Sequence, residues 1–111
     1  MDQVSSIISL SEPDFTVLSG DDSLTLPILS LGGRGVISVA ANIIPEKITR
    51  MIEAYLKGDV KEAQRLHYKI YPLCRALFIE TNPLPVKTAL ASMGMIKKEW
   101  RLPLDLSLIH I

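Results

Sequence analysis

The stretch Gly32-Gly33-Arg34-Gly35-Val36-Ile37-Ser38-Val39-Ala40-Ala41-Asn42 decides the fold of this chain. Its apolar centre, residues 35–39, is too short for a helix and follows a glycine-rich turn. Continuous apolar runs of this length belong to parallel strands covered on both faces. Upstream, Phe15-Thr16-Val17-Leu18 is a second β-prone run that ends in the turn formers Ser19-Gly20-Asp21-Asp22. Between the two, residues 23–31 are predicted to form a short helix. Asp22 or Ser23 would cap it, Pro27 would fall near its first turn, and Gly32-Gly33 would end it. Strand, helix, strand implies a parallel pair with a right-handed crossover. Two strands do not make an independent sheet, so the chain is expected to be part of something larger.

Downstream the pattern turns helical. Pro45 suits a first helical position, and Ile48, Met51, Ile52 and Tyr55 recur at helical spacing up to Lys57. Gly58 would stop that helix and Asp59 would cap the next. Val60, Ala63, Leu66, Ile70, Leu73, Leu77 and Phe78 continue an apolar face. Pro72 removes one backbone hydrogen bond from it and is expected to kink or split the helix. Residues 81–85 read as a turn, after which Pro85 opens a last helix to about Met93, closed by Gly94.

Composition excludes several classes. Of 111 residues, 48% are hydrophobic and 22% charged, an ordinary globular balance. Twelve basic residues offset twelve acidic ones, so no overall field favours nucleic acid or an anionic membrane. No run of eighteen apolar residues suggests a membrane span, and the first residues lack the basic start of a targeting segment. The single cysteine, Cys74, cannot build a disulfide framework within the chain and is compatible with a reducing compartment.

Three motifs carry a resemblance. They are residues 15–22, residues 32–42, and Glu80-Thr81-Asn82-Pro83-Leu84-Pro85-Val86-Lys87-Thr88-Ala89-Leu90; Arg101-Leu102-Pro103-Leu104 adds to them. In order and spacing, residues 5–104 resemble the last third of the dihydrodipicolinate synthases, in the superfamily that includes N-acetylneuraminate lyase. The resemblance implies an α/β fold, the carboxyl-terminal part of a (β/α)8 TIM barrel (its last two strands) plus an appended α-helical region. Residues 1–44 would hold strands seven and eight, residues 45–104 the helical region, and residues 105–111 a tail unlike the family. Active sites of such barrels lie at the carboxyl ends of the strands.

The family condenses pyruvate with aspartate semialdehyde in lysine and diaminopimelate biosynthesis. A lysine forms a Schiff base with pyruvate, and the iminium serves as the electron sink. A tyrosine relays protons. In the family that lysine ends strand six, upstream of anything this chain contains. The lysines here, including Lys47 and Lys57, fall in the helical part. The chain is therefore expected to be a lyase fragment, inactive alone, with no cofactor and no metal. The resemblance also implies a cytoplasmic enzyme that assembles as a homotetramer when complete, with no nucleic-acid or membrane partner.

What the resemblance assigns to this chain is one wall of the substrate pocket. Ile37 matches a pyruvate contact at the end of strand eight, where a backbone carbonyl or amide can orient a small keto acid. Gly20 matches a loop glycine that lets backbone approach the substrate closely. Asp21, with Asp22, would offer carboxylate to a polar substrate tail, as in the sialic acid lyase relatives, and Asn82 would stand near the rim. Simpler readings stand beside these. Ile37 is also a buried strand residue on this pattern. Gly20-Asp21-Asp22 is also a turn with a helix cap. Two adjacent aspartates without a third ligand do not make a metal site. Gly32-Gly33-Arg34-Gly35 precedes a strand, so it is a tight turn rather than a phosphate loop. His67, His110, Cys74, Trp100 and Lys87 read as packing or surface residues. Two other functions remain open: a fragment of a sialic acid lyase or 2-keto-3-deoxy sugar acid aldolase, and a non-catalytic module that binds a full-length barrel.

Overall fold

Both predicted β-runs form strands, but shorter ones. The computed structural model describes residues 1–79 and 82–97. In chain order these form α1 (Asp2–Leu10), β1 (Leu18–Ser19), α2 (Thr25–Ser30), β2 (Gly35–Val36), α3 (Pro45–Leu56), α4 (Val60–Ala76) and α5 (Leu84–Ser92). Short 3-10 turns, Asp22–Leu24 and Ala40–Asn42, follow the two strands. The strands are parallel, with Leu18 opposite Gly35 and Ser19 opposite Val36. One further bond at each end continues the pattern: the Arg34 amide donates to the Val17 carbonyl and the Ile37 amide to the Ser19 carbonyl, both at 2.9 Å. The ladder stops there because side-chain hydrogen bonds take over both strand exits.

The crossover holds a correction. Asp21, not Asp22 or Ser23, caps the helical segment: its carboxylate accepts from the Ser23 amide at 3.1 Å. Asp22 is unavailable because its carboxylate is turned inward. The segment itself is a 3-10 turn running into α2 rather than one helix. Gly32 then takes φ +111°, and β2 starts close beneath α2. A Cβ on Gly33 would lie 2.5 Å from Ile28 Cγ2 and 2.9 Å from the Ile28 carbonyl oxygen, so the approach needs glycine.

Helix α1 was not expected. Val4, Ile7 and Ile8 have helical spacing, but three serines, weak helix formers, interrupt the pattern. None of its residues is buried.

The core lies between α3 and α4. Met51 and Ala63 are wholly enclosed, and Ile48, Leu66, Ile70, Cys74 and Leu77 join them with Ala40 and Val86. Burying a side chain such as Met51 stabilises by about 1.5–3 kcal/mol. Buried positions 63, 66, 70 and 74 follow helical spacing, whereas Val60 and Phe78, predicted on the same face, are exposed. Gly58 at φ +90° ends the α3 segment, and the Asp59 carboxylate accepts from the Glu62 amide at 3.2 Å to start α4. Helix α4 runs unbroken through Pro72, so the proline does not split it. Pro72 is exposed, where the carbonyl it leaves unpaired can meet water. Pro85 lies in the first turn of α5, and Gly94 follows its end at φ +77°. Glu80, Thr81, Trp100, His110, the Arg101-to-Leu104 segment and the tail 105–111 lie outside the described residues.

Candidate functional site

Two parallel strands point their carboxyl ends the same way, so the segments that follow them share one rim. After β1 come Gly20, Asp21 and Asp22; after β2 come Ile37 and Ser38. What fixes them is mostly polar. Asp22 is only 2% exposed. One of its carboxylate oxygens accepts from the Ser38 hydroxyl. The other accepts from the Val39 amide at 3.1 Å and the Ala40 amide at 2.9 Å. The Ser38 hydroxyl oxygen in turn accepts from the Ala41 amide at 2.9 Å. One carboxylate and one hydroxyl thus satisfy three consecutive amides where the chain leaves β2, donors that would otherwise be orphaned.

The exit of β1 is tied locally. Ser19, 1% exposed, donates its hydroxyl to the Asp21 carbonyl at 2.7 Å and accepts from the Asp21 amide at 3.1 Å. Thr25 adds a hydroxyl to the same carbonyl at 3.2 Å. The Asp21 carboxylate accepts from the Ser23 hydroxyl at 3.0 Å as well as from its amide, yet the residue stays exposed. It also lines an open groove of about 560 Å³ with Cys74, Arg75 and Phe78 at the end of α4.

Ile37 is not a buried strand residue: it lies just beyond β2 with 74% of its surface exposed. Its amide is engaged by Ser19, and no hydrogen bond among the described residues reaches its carbonyl. Gly20 is exposed, and a Cβ there would meet nothing within 4 Å. Ile37, Gly20 and Asp21 therefore border one rim. Asn82 is exposed, joined to Pro83 by a cis peptide bond. No hydrogen bond among the described residues links it to the other three. Helix α5, which begins two residues later, packs against the turn Ala40–Asn42. The residues that sequence reasoning missed are Ser19 and Ser38. A serine at a strand exit, before an Ala-Ala turn, is a weak capping signal that gains meaning only with a partner sixteen residues away.

The remaining titratable groups are quieter. Burial, then the charges of Asp22 and Asp21, push the Cys74 thiol up to about 11, so it is a packing group beneath the β1 exit rather than a nucleophile. Burial pulls the His67 imidazole down. Its ring stands edge-on to Tyr68, centroids 4.9 Å apart. Among the described residues no three His, Cys, Asp or Glu side chains converge as metal ligands, and no helix is long and apolar enough to cross a membrane.

Comparison with known proteins agrees with this geometry. The dihydrodipicolinate synthetase family matches residues 1–107. The 4-hydroxy-tetrahydrodipicolinate synthase of Thermodesulfovibrio yellowstonii is 58% identical over 104 residues, covering 94% of this chain and 36% of that protein. The crystal structure of dihydrodipicolinate synthase from Aquifex aeolicus superposes with a TM-score of 0.93 at 51% identity, over 96% of this chain and 36% of that one. The chloride-inhibited Acinetobacter baumannii synthase complexed with pyruvate superposes at 0.88 and 37% identity, over 95% of this chain and 36% of the other. The chain thus spans little more than a third of the length of these relatives, as a small α/β piece of a barrel enzyme. With its parallel strand pair, its helices and the match over nearly all its length, this chain belongs to the dihydrodipicolinate synthase family.

Proposed function

We propose that this chain forms one wall of the pyruvate site in a Schiff-base lyase that condenses pyruvate with aspartate semialdehyde. Strands β1 and β2 act as barrel strands seven and eight, residues 1–44 belong to the barrel, residues 45–104 form the appended helical region, and residues 105–111 are a tail. The Schiff-base lysine and the proton-relaying tyrosine come from segments outside this chain, which alone is inactive. The complete enzyme is a cytoplasmic homotetramer. The observation that carries the reading is the shared rim of Gly20, Asp21 and Ile37 at the carboxyl ends of two parallel strands. That is where barrel enzymes keep their chemistry.

The roles divide by what each group has left to offer. The Ile37 amide is held by the Ser19 carbonyl, so the Ile37 carbonyl is the group that faces the ligand. A carbonyl only accepts hydrogen bonds, which suits a protonated imine better than a carboxylate. Gly20 leaves open space beside it. Asp21 keeps exposed carboxylate surface for a polar or cationic substrate tail, and Asn82 contributes at the rim. The synthases among its relatives favour this branch over the sugar-acid lyases.

Borohydride trapping with pyruvate tests the reading. A complete synthase carrying this chain as its matching segment gains one reduced pyruvate adduct on a lysine outside the segment. The 111-residue chain alone gains none. An adduct on Lys47, Lys57 or any other lysine of this chain sinks the assignment.

A further inference from the structure

The Asp22 carboxylate is buried, fully engaged, and sixteen to eighteen residues in sequence from its partners. A helix cap needs a carboxylate only locally, as Asp21 and Asp59 show. Asp22 instead crosses from the exit of one strand to the exit of the other. We propose that Asp22 is a positioning residue for the keto-acid site: through Ser38 and the amides of Val39 and Ala40 it fixes the backbone of Ile37. The proposal rests on the pyruvate-site reading above.

The geometry leaves Ile37 little freedom. On one side its amide is tied to the Ser19 carbonyl at 2.9 Å, and Ser19 is tied to Asp21 through its hydroxyl. On the other side its neighbour Ser38 is tied to Asp22. Asp21 and Asp22 are adjacent, so both constraints on Ile37 return to one short segment after β1. Within this chain the ladder itself holds only two residue pairs. The side chain of Ile37 has few partners here, being largely exposed in this chain. A site that must present a backbone carbonyl to a small ligand needs its position held to a fraction of an ångström, and misplacement by about 1 Å costs on the order of a hundredfold in rate. Charge-assisted hydrogen bonds to a buried carboxylate are short and directional enough for this.

The test uses a complete synthase built on the Aquifex aeolicus relative, with this chain in place of its matching segment. Asp22→Asn and Ser38→Ala are compared with Asp59→Ala, which removes a cap far along the chain. Asp22→Asn is expected to raise the pyruvate KM by roughly ten- to a hundredfold, leaving the aldehyde KM unchanged. Ser38→Ala moves it the same way but less, and Ser38→Thr, which restores the hydroxyl, returns it to the parent value. Asp59→Ala lowers the melting temperature without moving either KM. If Asp22→Asn fails to fold, Ser38→Ala against Ser38→Thr decides alone. A folded Asp22→Asn or Ser38→Ala enzyme whose pyruvate KM stays within about twofold of the parent overturns the positioning role. A folded parent that neither turns over nor traps pyruvate overturns the lyase reading itself, which is a separable result.

Discussion

Between β1 and β2 only two residue pairs are in register, and beyond them the backbone is held by the bond from the Ile37 amide to the Ser19 carbonyl, by the Asp22 carboxylate and by the hydroxyls of Ser19, Thr25 and Ser38. Between α3 and α4 the contact is a cluster of buried apolar side chains that includes Met51, Ala63, Leu66 and Ile70. Apolar burial is strong but non-directional, and a packed helix pair can shift slightly without losing it. Hydrogen bonds to Asp22 add less energy but specify where each amide must be. The helix pair thus supplies stability, and the strand exits supply position. The two regions meet at the turn Asp22–Leu24, which packs against α4, and at the turn Ala40–Asn42, where Ala40 donates its amide to Asp22 and buries its methyl group in the helical core.

Substitutions can break that contrast. Met51→Ala should have the largest effect, about 2–5 kcal/mol of lost stability, because it leaves a cavity at the centre of the cluster. Guanidinium unfolding followed by helical circular dichroism measures it. A cost under about 1 kcal/mol would mean that the helix pair is not the stabilising centre. Asp22→Ala should come next, at about 1–3 kcal/mol, the cost of buried donors left without an acceptor. Its signature is local: faster hydrogen exchange at the Val39, Ala40 and Ala41 amides, with the α4 amides unaffected. Uniformly faster exchange would dissolve the distinction between the two regions.

The two regions were also unequally legible in the sequence. Helices α3 and α4 were readable because burial repeats at 48 and 51, and again at 63, 66, 70 and 74, and because Gly58 and Asp59 mark the joint. The strand–helix–strand unit was readable from its apolar runs and glycines. Its polar clamp was not: adjacent aspartates look alike in sequence, and only the fold turns Asp21 outward as a cap and Asp22 inward across the strands. Ile37 looked like core because its neighbours are apolar, yet β2 ends one residue before it. Pro72 looked like a break, but a proline on the exposed face of a long helix loses only a bond that solvent can replace. Helix α1 was hidden by its serines, whose competition with the backbone weakens the helical pattern.

Smaller effects sharpen the comparison within the helical region itself. Asp59→Ala should cost about 1 kcal/mol, the ordinary value of an N-cap, and should lower the melting temperature without opening the strand exits. Exchange at residues 38–42 above the parent rate would mean that loosening the start of α4 is carried through Ala40 to the strand exits. The smallest effect belongs to Glu62 and Arg65, an exposed pair joined at 2.5 Å (Oε1 to Nη2) and at 2.9 Å (Oε2 to Nε). The hydrogen bond from Arg65 lowers the Glu62 carboxyl below its ordinary value. A carboxyl lowered in the folded state contributes stability that is fully present above its unfolded pKa and is lost as pH falls through the folded one. Glu62→Gln should therefore differ slightly from the parent at neutral pH and low salt. The two unfolding midpoints should converge below the carboxylate range, and also in about 1 M salt, where screening removes the attraction. A gap that persists under both conditions would mean that Glu62 supports α4 by something other than its charge.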